Sequence, residues 1–127
     1  MKIIGVESIV YGTDDIDAAT RFHVDWGLSL KESGNAGSDF SLPDNTTIHI
    51  RGIGDAALPP ASVPGPTARE VIWGVEDTAS LQAIGAELSR DREITSDSTG
   101  TLHSHDDYGY RLGFRLTART PEPARFP

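Results

Sequence analysis

Polar and charged side chains recur at alternate positions of the strand-like segments, where they would share one face of a sheet. In segment 46–51, His49 and Arg51 alternate with the apolar Ile48 and Ile50. Because successive side chains of a strand point to opposite faces, such residues from neighbouring strands collect on one open face. The expected set is Glu7, Tyr11, His49, Arg51, Glu70, Arg111 and Arg115. We expect this face to form a polar cleft.

Two kinds of chemistry fit this set. A guanidinium group binds a carboxylate or phenolate well, so the arginines are candidates for holding an anionic ligand. Tyr11 lies one strand repeat beyond Ile9 and is placed to stack on an aromatic ligand. The predicted ligand-binding residues are therefore Tyr11, Arg51, Arg111 and Arg115. Alternatively, the two glutamates pair with the arginines and the charges are satisfied internally, which is the interpretation that we favour for the glutamates.

The local signals divide the chain into two similar halves. Strands are predicted at 3–11, 28–32, 39–42 and 46–51, with a helix at 14–26, and then strands at 70–77, 99–104 and 110–116, with a helix at 78–90. We expect one domain over 1–127, with repeat one at about 1–52, a proline-rich connector at 53–66, repeat two at about 67–119 and a tail at 120–127. The helical spacing of Phe22 and Trp26 predicts that they face the core, as does the position of Trp73.

A constant offset supports the duplication. Glu70, Ile72 and Asp77 each lie 63 residues after an identical residue type in the first half. By this alignment, Glu7 and Tyr11 are expected on the same open face as Glu70. His103 and His105 also share a strand face, but the aspartates directly after them indicate a solvated turn.

Composition excludes several functions. The 127-residue chain has 11 Lys and Arg, 19 Asp and Glu, a formal net charge of −8 and no cysteine. The negative charge disfavours nucleic acid, and the lack of cysteine excludes disulfides and thiolate chemistry. No stretch approaches the roughly 18 apolar residues of a membrane span, and the motifs of serine hydrolases and phosphate-binding loops are absent. We expect a cytoplasmic protein.

Two segments carry a family resemblance. Val6-Glu-Ser-Ile-Val-Tyr-Gly-Thr-Asp-Asp-Ile and the helix end Asp25-Trp-Gly-Leu28 resemble the first unit of the vicinal oxygen chelate superfamily, which includes glyoxalase I, extradiol dioxygenases and bleomycin-resistance proteins. Leu102-His-Ser-His-Asp-Asp-Tyr-Gly-Tyr-Arg-Leu-Gly-Phe114 is similar to the closing run of that family. The resemblance implies an α+β fold of two βαβββ repeats, forming a cupped mixed sheet with both helices on the convex face.

The same resemblance implies a site for a divalent metal in enzyme members. Family ligands come from the leading and final strand of each unit, which correspond here to Glu7, His49, Glu70 and Gly113. Glycine offers no ligand atom, which leaves Glu7, His49 and Glu70 as candidates for Fe, Mn or Zn. The alternative is no cofactor at all. The implied function is a small-molecule-binding domain with a degenerate metal site, or else an extradiol dioxygenase or glyoxalase-type lyase.

The chain looks most like the N-terminal module of an extradiol-type dioxygenase, which in two-domain members has lost its metal ligands. This resemblance implies a homodimer or a covalently linked second module as partner, with an aromatic or anionic small molecule as ligand. It also implies that the isolated chain does not cleave aromatic rings.

Overall fold

The computed structural model describes residues 2–61 and 65–121, which form two helices and one mixed sheet. In chain order the elements are β1 (Ile3–Thr13), α1 (Ile16–Asp25), β2 (Ser29–Gly34), β3 (Gly37–Ser41), β4 (Thr47–Gly52), β5 (Thr67–Val75), α2 (Thr78–Leu88), β6 (Thr95–Ser96), β7 (Leu102–His105) and β8 (Arg111–Leu116). The order βαβββ occurs twice, and the predicted α+β class is confirmed. Part of the expected connector, 62–64, and most of the tail, 122–127, lie outside the described residues.

The sheet is nearly symmetric about its centre. Its eight strands run in the order β2-β3-β4-β1-β5-β8-β7-β6. β1 and β5 pair antiparallel at the centre, while β1 pairs parallel with β4 and β5 pairs parallel with β8. The leading and final strands of both repeats are therefore the four central strands, and their open face lines the middle of the sheet.

The helices begin where the sequence predicts. The carboxylate of Asp15 accepts a hydrogen bond from the Ala18 N–H at 3.0 Å, and that of Asp77 accepts one from the Ser80 N–H at 2.8 Å. Each aspartate is thus an N-cap that satisfies a free N–H of the first turn. The two-residue strand β6 has no clear signal in the sequence. Within the described residues, no helix is long and apolar enough to span a membrane.

The two helices are buried to different extents. α2 packs Ile84 against Val75 and Phe114, and this cluster is the core of the second repeat. α1 has no buried residue, and Phe22 and Trp26 are 63% and 70% exposed. Their prediction as core residues is wrong for this helix.

The cause is the orientation of α1 on the sheet. The side chain of His23, rather than Phe22, faces the sheet, and its ring lies 5.4 Å from the ring of the fully buried Phe40. The rings of Phe22 and Trp26 stack on each other at 6.3 Å on the outer side of the helix. We call this pair the aromatic patch.

Irregular pairing in β1 changes which of its residues face the open side. The β1–β5 register shifts between Val6 and Ser8, so Glu7 occupies a bulge. As a result Val10, and not Tyr11, lies beside both His49 and Glu70. The expected open-face position of Tyr11 is therefore wrong.

Tyr11 instead lies on the helix side of the sheet. It pairs in register with the buried Ile50, and its ring lies 6.1 Å from that of His23 in α1. Both helices pack on this side of the sheet. Ile9 of β1 shares a face with Tyr11 and pairs with Val71 of β5. The residues of β5 on the same face as Val71 pack against α2.

Residues 117–120 tie the two repeats together after β8. The Arg119 guanidinium donates hydrogen bonds to the carbonyl oxygens of Ile4 and Val6 at 3.4 and 2.6 Å. The backbone N–H of Thr120 donates to the carbonyl oxygen of Asp44 at 2.8 Å. The end of the second repeat is thus fixed to the first strand and to the β3–β4 turn of the first repeat.

Candidate functional site

A cavity of about 530 Å³ opens on the face of the sheet opposite the helices. The strand floor contributes Val10, His49, Arg51, Glu70, His103 and Arg111. The other wall is formed by residues 55–60 of the segment between β4 and β5. We call this cavity the cleft.

The wall at 55–60 is mostly apolar and is held in place by Arg69. The Arg69 guanidinium donates to the carbonyl oxygens of Pro59 and Gly65 at 3.0 and 3.3 Å. Gly12 of β1 lies beneath this segment, where a Cβ atom would come within 2.9 Å of Leu58 and 3.0 Å of Arg69. A larger residue there would require the side chains of Leu58 and Arg69 to shift.

The first polar cluster of the floor is centred on Asp39. Its Oδ1 lies 2.7 Å from Nδ1 of His49 and accepts a hydrogen bond from Arg51 at 2.8 Å. Burial alone would raise the pKa of Asp39, but these two partners outweigh burial and lower it. Nε2 of His49 lies 3.2 Å from the hydroxyl of Thr47. Asp39 therefore stays ionised and orients both His49 and Arg51.

The second cluster is centred on His103 of β7. Its Nδ1 lies 2.7 Å from Oε2 of the buried Glu70, and its Nε2 lies 2.7 Å from Oδ2 of Asp97. Burial alone would lower the pKa of His103, but the two carboxylates outweigh burial and raise it. Burial alone would raise the pKa of Asp97, but hydrogen bonds from the Thr99 hydroxyl, from His103 and from the N–H groups of Thr99 and Thr101 outweigh burial and lower it. This cluster joins the floor at β5 to the turn before β7.

Arg111 differs from the other arginines of the cleft. It pairs in backbone register with Glu70, whose carboxylate is engaged by His103. Among the described residues, the Arg111 side chain makes no hydrogen bond or ion pair, and its Nε is buried without an acceptor. Arg111 thus lines the cleft with N–H donors that no described residue accepts.

The structure separates Glu7 from the cleft. Its carboxylate is fully buried, accepts a hydrogen bond from the Thr117 hydroxyl at 2.9 Å and another from the Ala118 N–H at 2.6 Å. It also packs over Gly74, where a Cβ atom would overlap it. Glu7 therefore holds the chain after β8, and neither it nor Arg115 lines the cleft.

Three residues of the cleft clusters, Asp39, Asp97 and His103, were not predicted as site residues. The aspartates after His103 and His105 indicated a solvated turn, whereas His103 lies in β7 with its ring against the buried Glu70. Asp39 lies on the open face because its neighbours Ser38 and Phe40 are buried, an alternation that is visible in segment 37–41. Asp97 lies in a loop, and no local signal links it to His103. Its contribution depends on how the β6–β7 turn folds back on the sheet.

The described residues do not fit a metal ion as they are arranged. Within 2–61 and 65–121, no group of three or more His, Cys, Asp or Glu side chains is placed to hold one. His49 and Glu70 share the cleft, but each is hydrogen-bonded to a neighbour. At Gly113, an added Cβ would lie 2.9 Å from Ile72 and 3.4 Å from Glu70, so a longer side chain would require the floor to shift.

Known structures share this fold. The chain is similar to the Mn(II)-bound glyoxalase from Novosphingobium aromaticivorans (TM-score 0.73, 13% identity) and to homoprotocatechuate 2,3-dioxygenase from Arthrobacter globiformis (TM-score 0.75, 16% identity). It is also similar to methylmalonyl-CoA epimerase from Mycobacterium tuberculosis (TM-score 0.61, 16% identity). No protein-family model and no curated protein matches the sequence.

These neighbours are vicinal oxygen chelate proteins, and the resemblance seen in the sequence is confirmed at the level of the fold. The alignments cover 98%, 95% and 95% of this chain. They cover 43% of the glyoxalase, 38% of the dioxygenase and 90% of the epimerase. The chain thus spans less than half the length of the first two.

Proposed function

We propose that the protein is a small-molecule-binding domain of the glyoxalase and dioxygenase fold, with a degenerate metal site. The supporting observation is the incomplete set of metal ligands. Of the three candidates, His49 and Glu70 line the cleft, whereas the Glu7 carboxylate is buried against Thr117 and Ala118. Within the described residues, no group of three metal-binding side chains comes together, so the cleft is better suited to an organic ligand than to an ion.

The metal content of the purified protein tests this proposal. We expect less than stoichiometric Fe, Mn and Zn in protein expressed with these metals supplied. A stoichiometric metal that disappears in a His49→Ala variant would contradict the proposal and locate the ion in the cleft.

The Glu7→Ala variant tests whether Glu7 has a structural role rather than a role in metal binding. The variant leaves the Thr117 hydroxyl and the Ala118 N–H without their acceptor, so we expect a loss of about 2 kcal/mol in the free energy of unfolding. Metal content should not change. Glu32→Ala, at an exposed position of β2, is the matched control, and we expect it to be nearly neutral.

A metal-dependent enzyme of the extradiol dioxygenase or glyoxalase type is the second candidate. It is favoured by the presence of both a histidine and a glutamate on one cleft floor, and the fold is shared with a Mn(II)-bound glyoxalase. Such a protein would need a third ligand beside His49 and Glu70, which the described residues do not bring into the cleft. Stoichiometric metal together with turnover would favour this candidate over binding alone.

We also propose that the domain works beside a second module or a second copy of itself. The exposed aromatic patch and the short span relative to the glyoxalase and dioxygenase support this arrangement. Catechol-type substrates with added Fe(II) should not be turned over, and the solution mass should exceed that of a monomer. Ring cleavage by a monomer would contradict the idea. A Phe22→Ser/Trp26→Ser variant should lower the mass if the patch is the contact.

A further inference from the structure

Arg111 is the cleft arginine whose N–H groups have no hydrogen-bond acceptor among the described residues. Arg51 binds Asp39 at 2.8 Å, and the terminal nitrogens of Arg69 donate to the carbonyl oxygens of Pro59 and Gly65. Arg69 and Arg119 also have a buried Nε without a hydrogen bond, but their terminal nitrogens donate to backbone carbonyls, and the Nε of Arg119 lies 3.6 Å from Oδ2 of Asp44. For Arg111, the described residues supply no acceptor to any of its nitrogens.

Neighbouring carboxylates do not accept hydrogen bonds from Arg111. Oε2 of Glu70 is hydrogen-bonded to His103, and Asp55 accepts a hydrogen bond from the Ala57 N–H at 2.9 Å. A buried donor without an acceptor costs free energy until one reaches it. The planar guanidinium matches a carboxylate, which can accept two parallel hydrogen bonds.

Charge around Arg111 selects among anions. Carboxylates surround Arg111, since Glu70 is its neighbour in register, Asp55 lines the cleft, and Asp97 contacts His103 on the same floor. These groups repel a dianion such as phosphate about twice as strongly as a monoanion. A carboxylate is therefore favoured over a phosphate group.

The opposite wall is suited to an apolar body. Residues 56–60 present alanine, leucine and proline side chains, and Val10 continues this surface on the floor. Sites for small molecules combine such surfaces with a few fixed polar groups. A cavity of about 530 Å³ is large enough for a ring-sized apolar body.

We propose that the cleft takes a small carboxylic acid, with its carboxylate on Arg111 and its apolar body against residues 56–60. This inference rests on the proposed function of small-molecule binding. It assigns Arg111 as the residue that selects ligands by charge.

Matched probes test the inference. Benzoate, benzamide, benzylamine and inorganic phosphate are titrated into ¹⁵N-labelled wild-type protein, with shifts followed at the cleft amides. Benzoate should bind at least about tenfold more tightly than benzamide. Arg111→Gln should remove this advantage, and Arg111→Lys should retain part of it. Arg21→Gln, at an exposed position on the helix side of the sheet, should bind benzoate like the wild type.

The outcomes separate the two proposals. Equal binding of benzoate and benzamide in the cleft would overturn the carboxylate inference and leave small-molecule binding standing. Stronger binding of phosphate than of benzoate through Arg111 would overturn the choice of anion. If no probe shifts any cleft amide, the proposed function fails together with the inference. The unfolding midpoint of each variant establishes that it is folded. If Arg111→Gln does not fold, Arg111→Lys still tests the role of this side chain.

Discussion

At the scale of single residues, carboxylates determine the state of the cleft histidines. Both ring nitrogens of His103 lie 2.7 Å from a carboxylate oxygen. Both nitrogens can donate to ionised carboxylates only when the ring is protonated, so the two contacts favour the imidazolium form, in agreement with the raised pKa of His103. In that form the ring joins β5, the turn before β7, and β7 itself.

The stabilisation from His103 is expected to depend on pH. Its pKa in the folded protein is raised above the ordinary value of 6.5, so the folded state binds the proton more tightly than the unfolded chain does. The contribution is complete below about pH 6.5 and is lost as the pH rises through the folded pKa. Urea unfolding with a chelator present should show that the wild type exceeds His103→Gln in stability by more at pH 6 than at pH 9. A difference that grows with pH would contradict this sign.

Part of the site could be read from the sequence. Alternation along strands predicts a shared face for His49, Arg51, Glu70 and Arg111, and all four line the cleft. Their binding roles stay predictions. The partners could not be predicted, because the contacts of Asp39 with His49 and of Asp97 with His103 depend on strand register and loop path rather than on local pattern.

At the scale of elements, β1 explains why the alignment of the two repeats from the sequence is wrong by one residue. Ser8 pairs with Thr47 in the first repeat as Glu70 pairs with Arg111 in the second, which gives an offset of 62 rather than 63. The bulge at Glu7 accounts for the extra residue. A bulge shifts the alternation of a strand by one, and nothing in the local sequence of β1 marks its position.

The β2–β3 hairpin provides a sharp test of backbone geometry. Gly37 has φ +148°, and a Cβ there would overlap the carbonyl oxygen of Ile50, so Gly37→Ala forces β3 away from β4. We expect a loss of more than about 2 kcal/mol in the free energy of unfolding. Gly34→Ala is the control, because it lies in the same hairpin with nothing within 4 Å, and it should change stability by less than about 1 kcal/mol. Equal effects in urea titrations would contradict the close approach.

The same substitution connects the hairpin to the cleft. Asp39 lies two residues after Gly37 and pairs in register with His49 across β3 and β4. Moving β3 away from β4 would therefore loosen the hydrogen bonds that orient His49 and Arg51. Any loss of ligand binding in Gly37→Ala should accompany its loss of stability.

At the scale of the whole molecule, the order of elements was the most predictable property. Hydrophobic period, caps and turns define two βαβββ units, and the observed sheet joins them through β1 and β5. The long-range ties were not predictable. Glu7 contacts Thr117 and Ala118 across 110 and 111 residues, and no local pattern encodes such a pairing.

These ties predict that the two repeats unfold as one unit. The β1–β5 pairing and the Glu7 contacts both cross between repeats, so neither half keeps its central strand neighbours if the other unfolds. Each repeat contains one tryptophan, Trp26 in the first and Trp73 in the second. Trp26→Phe and Trp73→Phe variants therefore give one fluorescent reporter for each repeat.

In urea, the fluorescence transition of each single-tryptophan variant should coincide with the transition that circular dichroism reports for the same variant. Adding Glu7→Ala should lower both midpoints together, because the lost contacts belong to the link between repeats. If the Trp26 signal instead changes at lower urea than the circular dichroism of the same variant, the first repeat unfolds on its own. In that case the central pairing of β1 with β5 would be too weak to couple the two halves.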